Sequence, residues 1–322
     1  MTNSLLPGIY VPTQVFYKDG SDTTLDDKVI AQHAVRMAKA GVAGIVTNGS
    51  NGEAVYLTSD ERAQVTRVTR KALDDQGSTS MPVIVGASDQ SVVGTLALCR
   101  DAAEAGGDAV LVMVPSFFKW AMNDAAIEDY FTKVADESPL PVVVYNYPGA
   151  VAGIDLSSDL LIRLAKHPNI IGTKFTCGNV GKLARITHAT NTVSEAFGSE
   201  AQDRYFAFAG IADFISSSVE VGSSGAIVGA ANVFPRACVN VYRLAVEGKR
   251  KEAMKAQQEL ATADWELTKR AIPGFKAILE HVHGYGGVPR SPMASLSEDD
   301  KSALYQDIDD MMKFESQLED LK

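Results

Sequence analysis

The chain has 322 residues, 46% of them hydrophobic, and its formal net charge is −10. A chain of this length and composition can bury a substantial core, either as one large domain or as two smaller ones. The acidic balance and the lack of any basic run exclude nucleic acids and anionic membranes as expected partners. No apolar run reaches the roughly 18 residues that a membrane-spanning helix needs.

The cysteines Cys99, Cys177 and Cys238 are widely spaced and form no CxxC pair. This pattern is typical of a reducing compartment, and it disfavours a disulfide framework or a thiolate zinc site. The first residues, MTNSLLPGIYVPTQ, do not have the charged and then apolar pattern of a targeting signal. We therefore expect a cytoplasmic protein.

Short apolar runs recur along the chain, each followed by a turn cluster and a longer amphipathic segment. Runs of Val, Ile and Leu without alternation are typical of strands that are buried on both faces. The predicted strands are GIYVPT from Gly8, AGIVTNG from Ala43, PVIVGA from Pro82, AVLVMVP from Ala109, PVVVYNYP from Pro141, IIGTKF from Ile170, VSEAFG from Val193 and GAIVGAAN from Gly225.

Amphipathic helices are predicted between these strands. One of them opens with TSDE, in which Thr58 and Glu61 have the spacing of a capping box. After Gly248 the strand signals stop, and helical patterns continue along the chain. The predicted helices cover residues 26–40, 58–72, 91–105, 123–137 and 157–166, followed by 249–270, 273–283 and 298–321.

Eight strands alternating with helices predict a closed (β/α)8 barrel, a TIM barrel, rather than an open doubly wound sheet. The first strand is not followed by the GxGxxG turn of a dinucleotide-binding fold, which removes the main competing architecture. We expect an α/β protein in which residues 1–248 form the catalytic barrel and residues 249–322 form a helical region packed on it.

Three unusual stretches fall where such a barrel carries its chemistry, at the carboxyl ends of strands and in the following loops. NGSNGE, residues 48–53, follows the second strand, YNYPG, residues 145–149, ends the fifth, and Lys174 interrupts the apolar sixth. Taken singly, these are typically an ordinary polar turn, a core tyrosine and a lysine whose ammonium reaches water. Because strands five and six are neighbours, we expect Tyr145 and Lys174 to lie close together at the same open end of the barrel.

The combination of the three stretches predicts a reaction. An amine in apolar surroundings loses solvation of its charged form and is then free to attack a ketone. The resulting iminium stabilises a carbanion at the adjacent carbon, and a nearby tyrosine hydroxyl can relay protons. A glycine-rich turn with Ser50 and Asn51 can donate hydrogen bonds to a carboxylate. Together these parts describe a Schiff-base aldolase for a 2-oxo acid, and we expect no cofactor and no metal.

In order along the chain, GSNGE, YNYP, GTKF, GAIVGAANVFP and IPGFKAIL…GYGGVPRSPM resemble the pyruvate-dependent class I aldolase superfamily of dihydrodipicolinate synthase and N-acetylneuraminate lyase. The resemblance runs from Gly8 to about Pro292. It implies a barrel enzyme, commonly a homotetramer built from dimers, in which Lys174 forms the Schiff base with pyruvate and Tyr145 shuttles protons. The residues it implies for pyruvate binding are Gly49, Ser50 and Asn51 at the carboxylate and Ile227 in the pocket wall.

One departure from the family concerns the second substrate. Dihydrodipicolinate synthase carries an arginine shortly after the tyrosine-proline stretch, where it grips the carboxylate of the aldehyde partner; the segment here, YNYPGAVAG, has none. This favours cleavage of a 2-keto-3-deoxy sugar acid, such as a 3-deoxy-hexulosonate, to pyruvate and an aldehyde such as glyceraldehyde. The alternative is 4-hydroxy-2-oxoglutarate aldolase, which yields pyruvate and glyoxylate and which the GSNGE turn and the C-terminal stretch resemble most. Dihydrodipicolinate synthase itself is the least favoured.

A second departure is Phe118, near which the family often has a tyrosine that reaches the site of a neighbouring subunit. In the family this tyrosine is part of a proton relay. Phenylalanine cannot relay a proton, so water, Ser50 or a substrate hydroxyl has to take the place of the tyrosine. Phe118 is also the feature that favours a hypothesis of another class, a binding barrel without turnover. Phe117 and Trp120, beside it, are predicted to line either the entrance of the site or a subunit contact, and the subunit contact is favoured. Glu53 is interpreted as holding its loop rather than acting as a base.

Overall fold

Eight parallel strands close into a barrel in the computed structural model of the protein, which describes residues 5–18, 21–190 and 205–320. Each strand pairs with the next in chain order, and β8 returns to pair with β1. The predicted (β/α)8 barrel is therefore confirmed. The strands are β1 (Gly8–Pro12), β2 (Gly44–Thr47), β3 (Val83–Gly86), β4 (Ala109–Met113), β5 (Val142–Asn146), β6 (Ile170–Phe175), β7 (Phe206–Ala209) and β8 (Gly225–Ile227).

The seventh strand is where the sequence prediction and the fold differ. The predicted strand VSEAFG, from Val193, lies outside the described residues. The strand that pairs with both β6 and β8 is β7, whose sequence is FAFA. This run is short, lacks β-branched residues and contains two alanines, so its propensity for a strand is weak and its place depends on the two neighbouring strands.

Helices surround the barrel, and the first five of them begin where the sequence supplies a capping side chain. The predicted ranges start at the caps Asp26, Thr58, Ser91, Asn123 and Ser157, each of which accepts a backbone N–H of the helix that follows. Such a cap stabilises a helix by about 1 kcal/mol. The helices are α1 (Asp27–Lys39), α2 (Ser59–Asp75), α3 (Val92–Glu104), α4 (Asp124–Glu137), α5 (Ser158–Leu164), α6 (Val180–Ala189), α7 (Ile215–Glu220) and α8 (Pro235–Val246).

Further helices follow the barrel: α9 (Arg250–His283), α10 (Glu298–Asp307) and α11 (Asp309–Gln317). The two predicted helices 249–270 and 273–283 are joined in α9, which is kinked at Ala271, where φ is 48° and ψ is −147°. Pro273 explains the kink because its ring nitrogen cannot donate to the helical ladder. In the described part of the chain no helix is long and apolar enough to cross a membrane.

The inside of the barrel is filled by alternate residues of the strands. One buried cluster, called the inner cluster here, contains Tyr10, Val46, Ile84, Leu111, Val143, Tyr145, Phe206, Phe208 and Ile227. The residues between them face the helices in a second, larger core. This alternation follows from the period of two along a strand. The interior of the barrel is therefore packed like a core.

The long helix α9 packs on the loop that follows β7, through the buried carboxyl group of Asp264. Its Oδ2 accepts a hydrogen bond from the Ala212 backbone at 3.2 Å, and Gln257 on the same helix donates to the Ala212 carbonyl at 2.8 Å. Burial, and secondarily the nearby Asp213, raises the pKa of Asp264 to about 7. The folded protein thus retains a proton that the unfolded chain releases near pH 4.

We predict that Asp264→Asn becomes more stable relative to the wild type as pH rises. The raised pKa makes the stabilising contribution of Asp264 complete below pH 4 and lost as pH approaches 7. Asparagine imitates the protonated form at every pH, so the variant should match the wild type near pH 4 and exceed it by up to a few kcal/mol at pH 8. Denaturant unfolding at the two pH values measures the difference. A variant less stable than the wild type at pH 8 would contradict it.

Candidate active site

Lys174 faces the inside of the barrel because of an irregularity in β6. The register between β5 and β6 shifts at Ile171, which leaves one extra residue of β6 without a partner in β5. Beyond the shift, Lys174 is level with Tyr145 on β5 and with Phe208 on β7. Both neighbours belong to the inner cluster, and strands in register direct their side chains to the same face. The lysine side chain therefore enters the barrel near the carboxyl end of β6.

Lys174 and Tyr145 are in contact in this buried setting. The Lys174 Nζ lies 4.2 Å from the centre of the Tyr145 ring, and the two residues are 3% and 4% exposed. Tyr147 stacks on Tyr145, with ring centres 5.7 Å apart. Burial raises the pKa of Tyr147, so its hydroxyl stays a proton donor at neutral pH. The structure thus brings together the amine and the phenol that the sequence analysis singled out.

The glycine-rich turn, residues 48–53, lies at the carboxyl end of β2 in a strained conformation. Its first and last residues, Asn48 and Glu53, have left-handed backbones with φ of 55° and 51°. Such a conformation costs about 1–2 kcal/mol for a residue other than glycine, with asparagine the best tolerated. Gly86 at the end of β3 makes room for the turn, because a Cβ there would lie 1.8 Å from the Asn48 carbonyl oxygen. Strain of this kind is concentrated at ligand-binding sites.

Several polar atoms at the turn are buried without a partner. Within the described residues, Ser50 Oγ, Asn48 Oδ1 and Gln14 Oε1 make no hydrogen bond. Gln14 does donate through Nε2 to Asn51 Oδ1, at 3.5 Å. An unpaired buried polar atom costs about 1–3 kcal/mol, so several of them in one place indicate a site that a polar ligand completes. Gln14 is a residue that the sequence analysis missed, since a lone glutamine carries no motif.

The remaining predicted residue, Ile227, is fully buried at the end of β8 and shares the inner cluster with Tyr145. Just beyond it, Gly229 approaches the turn, because a Cβ at this glycine would lie 3.0 Å from Asn51 Nδ2. The end of β8 and the turn after β2 are therefore adjacent. Lys174, Tyr145, the turn and Ile227 all belong to the same end of the barrel, where carboxyl ends of parallel strands carry active sites.

The loop after β5 has no arginine, but a cation from the neighbouring loop after β4 lies beside it. Its backbone passes through Ala152 in a left-handed conformation, with φ of 54°. Lys119, from the loop after β4, donates from Nζ to the Ala152 carbonyl at 2.7 Å. The ammonium of Lys119 is thus used to hold this loop. A lysine is also a point charge that cannot grip a carboxylate with the two-pronged geometry of arginine.

The segment that contains Phe118 is an exposed aromatic surface. Phe118 packs edge-on against Phe117 and Trp120, with ring centres 5.0 Å and 6.2 Å apart. In this single chain Phe118 is 59% exposed and Trp120 is 85% exposed. Three neighbouring aromatic side chains in water are costly to solvate, so such a surface typically marks an interaction site.

Glu53 is tied to a residue that the sequence analysis did not single out, Lys276 of α9. The Lys276 Nζ lies 2.6 Å from Glu53 Oε1, and both side chains are completely buried. This contact agrees with the interpretation that Glu53 holds its loop. The available signal in the sequence is a lysine inside the apolar run GFKAIL, which is as unusual as Lys174 in its strand.

His281 and His283, which form an HxH sequence at the end of α9, pack against aromatic rings. His281 stacks on Tyr305 with ring centres 4.0 Å apart, and His283 stacks on Tyr285 at 5.8 Å. Over residues 5–18, 21–190 and 205–320, no group of three or more His, Cys, Asp or Glu side chains is arranged to hold a metal ion.

The full-length relatives of this eight-stranded barrel are named as aldolases, and the chain is therefore an enzyme of the aldolase class, a carbon–carbon lyase. The chain belongs to the dihydrodipicolinate synthetase family, whose family model matches residues 8–311. The resemblance drawn from GSNGE, YNYP and GTKF is therefore confirmed.

Two relatives and one solved structure show how close the kinship is. L-threo-3-deoxy-hexylosonate aldolase of Aspergillus niger is 47% identical over 330 residues, with 98% of each chain covered. A protein of Emericella nidulans that bears the name of a mitochondrial 4-hydroxy-2-oxoglutarate aldolase is 46% identical, with 98% of each chain covered. The crystal structure of a dihydrodipicolinate synthase family protein from Coccidioides immitis superimposes with a TM-score of 0.84 at 31% identity, covering 97% of this chain and 98% of that one.

Proposed function

We propose that the protein is a Schiff-base aldolase that cleaves a 2-keto-3-deoxy sugar acid, such as a 3-deoxy-hexulosonate, to pyruvate and an aldehyde such as glyceraldehyde. The observation that carries the proposal is the buried amine of Lys174, 4.2 Å from the Tyr145 ring at the open end of the barrel. The name of the Aspergillus niger relative supports the same substrate class. The chemistry needs no cofactor, because the lysine amine itself provides the electron sink.

The amine begins the reaction by attacking the C2 carbonyl of the 2-oxo acid, which gives a carbinolamine. Tyr145 donates a proton to the carbinolamine hydroxyl, which leaves as water and produces an iminium on Lys174. The Tyr145 oxygen then takes the proton of the C4 hydroxyl. The C3–C4 bond breaks, its electron pair moves into the iminium to give an enamine, and the aldehyde departs.

The second half of the cycle returns the enzyme to its starting state. Tyr145 passes its proton to C3 of the enamine, and the iminium of pyruvate forms again. Water adds to this iminium, Tyr145 takes a proton from the new carbinolamine, and the C–N bond breaks to release pyruvate and the free amine. One water is released and one is consumed, and the proton that moves from nitrogen to oxygen when the first carbinolamine forms returns to nitrogen when the last one breaks, so the atoms balance.

The turn after β2 is proposed to bind the carboxylate of the 2-oxo acid through Gly49, Ser50 and Asn51. The unpartnered Ser50 hydroxyl supports this role, since a carboxylate supplies the acceptor that it lacks in the described residues. Ile227 forms the apolar wall beside the methylene carbon. Ser50, water or a substrate hydroxyl takes the place of the relay tyrosine that Phe118 cannot provide.

The aldehyde partner is proposed to be uncharged, because the loop after β5 has no arginine and the nearby Lys119, from the loop after β4, already donates its ammonium to the Ala152 carbonyl. A second candidate is 4-hydroxy-2-oxoglutarate aldolase activity, which the name of the Emericella nidulans relative favours at almost the same identity. That reaction would use the same lysine and tyrosine and would differ only in how the glyoxylate carboxylate is held.

We further propose a homotetramer built from dimers, in which the surface of Phe117, Phe118 and Trp120 is covered by a second subunit. The exposure of all three rings in the single chain supports this arrangement.

We propose a cytoplasmic location, which the unpaired Cys99, Cys177 and Cys238 support. Residues 1–248 are proposed as the catalytic barrel, with 249–322 as the helical region packed on it.

Borohydride reduction in the presence of pyruvate should attach a stable pyruvyl adduct to Lys174, visible by peptide mass spectrometry. Lys174→Ala should form no adduct and lose cleavage. Tyr145→Phe should still form the adduct, more slowly, while aldol cleavage falls by about 10²–10⁴-fold through loss of the proton relay. Full cleavage activity in Lys174→Ala would eliminate the Schiff-base mechanism, and a wild type without adduct would favour the barrel without turnover.

A coupled assay of pyruvate release should give a higher kcat/KM with 3-deoxy-hexulosonates than with 4-hydroxy-2-oxoglutarate. Ala150→Arg, which places a guanidinium in the loop after β5, should shift the preference toward the dicarboxylate, because arginine can hold its second carboxylate at two points. If the wild-type enzyme cleaves 4-hydroxy-2-oxoglutarate at an equal or higher rate, the proposed sugar-acid substrate is wrong and the second candidate activity takes its place.

Light scattering after size exclusion should give the mass of a tetramer for the wild type. Trp120→Ser should shift the population toward smaller species, because the substitution removes a large apolar contact from the proposed interface. Trp265→Ser, at another exposed tryptophan on α9, is the matched control and should leave the mass unchanged. A monomeric wild type would contradict the proposed assembly.

A further inference from the structure

A buried ion pair lies directly behind the turn after β2. Glu53 closes this turn, is 1% exposed and contacts Lys276 at 2.6 Å. Lys276 has no exposed surface, and its Nζ also donates to the Val288 carbonyl at 2.8 Å and lies 4.5 Å from the centre of the Tyr17 ring. Burial lowers the pKa of Lys276, an effect that the neighbouring Glu53 opposes. Among the residues that the structure describes, each charge is therefore compensated by groups at this one place.

The other carboxylate oxygen of Glu53 is held from the segment that follows α9. The backbone N–H of Arg290 donates to Glu53 Oε2 at 2.6 Å. The guanidinium of Arg290 is itself fixed by two parallel hydrogen bonds to Glu61 at the start of α2, both of 2.8 Å, and by the Asp22 carbonyl at 2.7 Å. Two C-terminal segments thus clamp one carboxylate, and the segment of Arg290 is itself held by the loop after β1 and by the start of α2.

Glu53 is linked by its backbone to the residues proposed to bind the substrate carboxylate. Its N–H donates to the Ser50 carbonyl at 3.2 Å, and the N–H of Gly52 donates to the Gly49 carbonyl at 3.1 Å. The left-handed backbone of Glu53 makes this geometry costly to keep without outside support. A displacement of the Glu53 side chain would therefore be transmitted directly to the peptide groups of Ser50 and Asn51.

Stability alone is a weak reason for such a pair. The desolvation of two buried charges offsets most of their attraction, and apolar residues of the same shape often stabilise a core equally well or better. What a buried pair does supply is one defined geometry, because neither charge has another partner of equal quality. The geometry it defines here is that of the turn.

We infer that Lys276 is a positioning residue for the reaction, which acts through Glu53 to hold Ser50 and Asn51 in the arrangement that binds the carboxylate of the 2-oxo acid. The inference rests on the proposed function of this turn. It assigns to α9, outside the barrel, an indirect part in substrate affinity, exerted through Glu53. Lys174 and Tyr145 are not affected, so the loss of Lys276 should weaken binding more than it slows the bond-breaking steps.

The test uses Glu53→Gln, Lys276→Met and the double variant, which removes both charges and leaves no unpaired one. The single variants should raise the pyruvate concentration for half-maximal borohydride trapping, and KM for cleavage, by about tenfold or more, with kcat within about threefold of wild type. Their melting temperatures should fall. The double variant should recover much of the melting temperature, because no buried charge is left unpaired, but not the affinity for pyruvate.

Glu315→Gln is the matched control. Glu315 is also buried, accepts hydrogen bonds from the backbone of Arg236 and Ala237 at 3.0 Å and 2.7 Å, and lies on α11, away from the turn. This variant should lose stability and keep the wild-type trapping concentration.

The inference is overturned if affinity returns together with stability in the double variant, or if the single variants trap pyruvate like the wild type. If Lys276→Met does not fold, Glu53→Gln tests the inference by itself, because glutamine keeps the shape of the glutamate side chain. A wild type that forms no adduct at any pyruvate concentration would instead count against the proposed function, so the two failures are distinguishable.

Discussion

The site depends on the single extra residue in β6. Because side chains alternate along a strand, pairing without the shift at Ile171 would place Thr173 level with Tyr145 and turn Lys174 outward toward the helices. The observed outward neighbour, Thr173, bonds to the Tyr205 hydroxyl in the layer between barrel and helices. This one register shift thus decides whether the amine of Lys174 lies inside the open end of the barrel. Bulges of this type commonly re-aim a side chain beside an active site.

The other side of the site, the turn after β2, is shaped by contacts from outside the turn rather than by strand register. The turn after β2 has two left-handed residues, Asn48 and Glu53, and polar atoms without partners, all of which cost free energy. Its shape is maintained by Gly86, which allows β3 to pass close by, and by the charges gathered from α9 and the segment beyond it. The C-terminal helices therefore complete the open end of the barrel in addition to covering its surface.

Much of this arrangement follows from the sequence. The apolar runs predicted seven of the eight strands at nearly the observed positions, and the capping residues marked the starts of α1 to α5. Neighbourhood of Tyr145 and Lys174 followed from the order of strands alone. The bulge was not predictable, because a one-residue shift leaves no mark on an apolar run. The strand FAFA was missed because its place is set by β6 and β8 rather than by its own propensity.

Ion pairs between residues that are far apart in the sequence could not be predicted either, as the contact between Glu53 and Lys276 shows. A buried lysine is recognisable as unusual, but its partner is found only when the fold is known. Lys174 and Lys276 make the point together, since both interrupt apolar runs. Lys276 faces a carboxylate that compensates its charge, whereas Lys174 faces the ring of Tyr145. The same sequence signal therefore marks a structural cation in one place and a candidate nucleophile in the other, and the neighbouring side chain decides which.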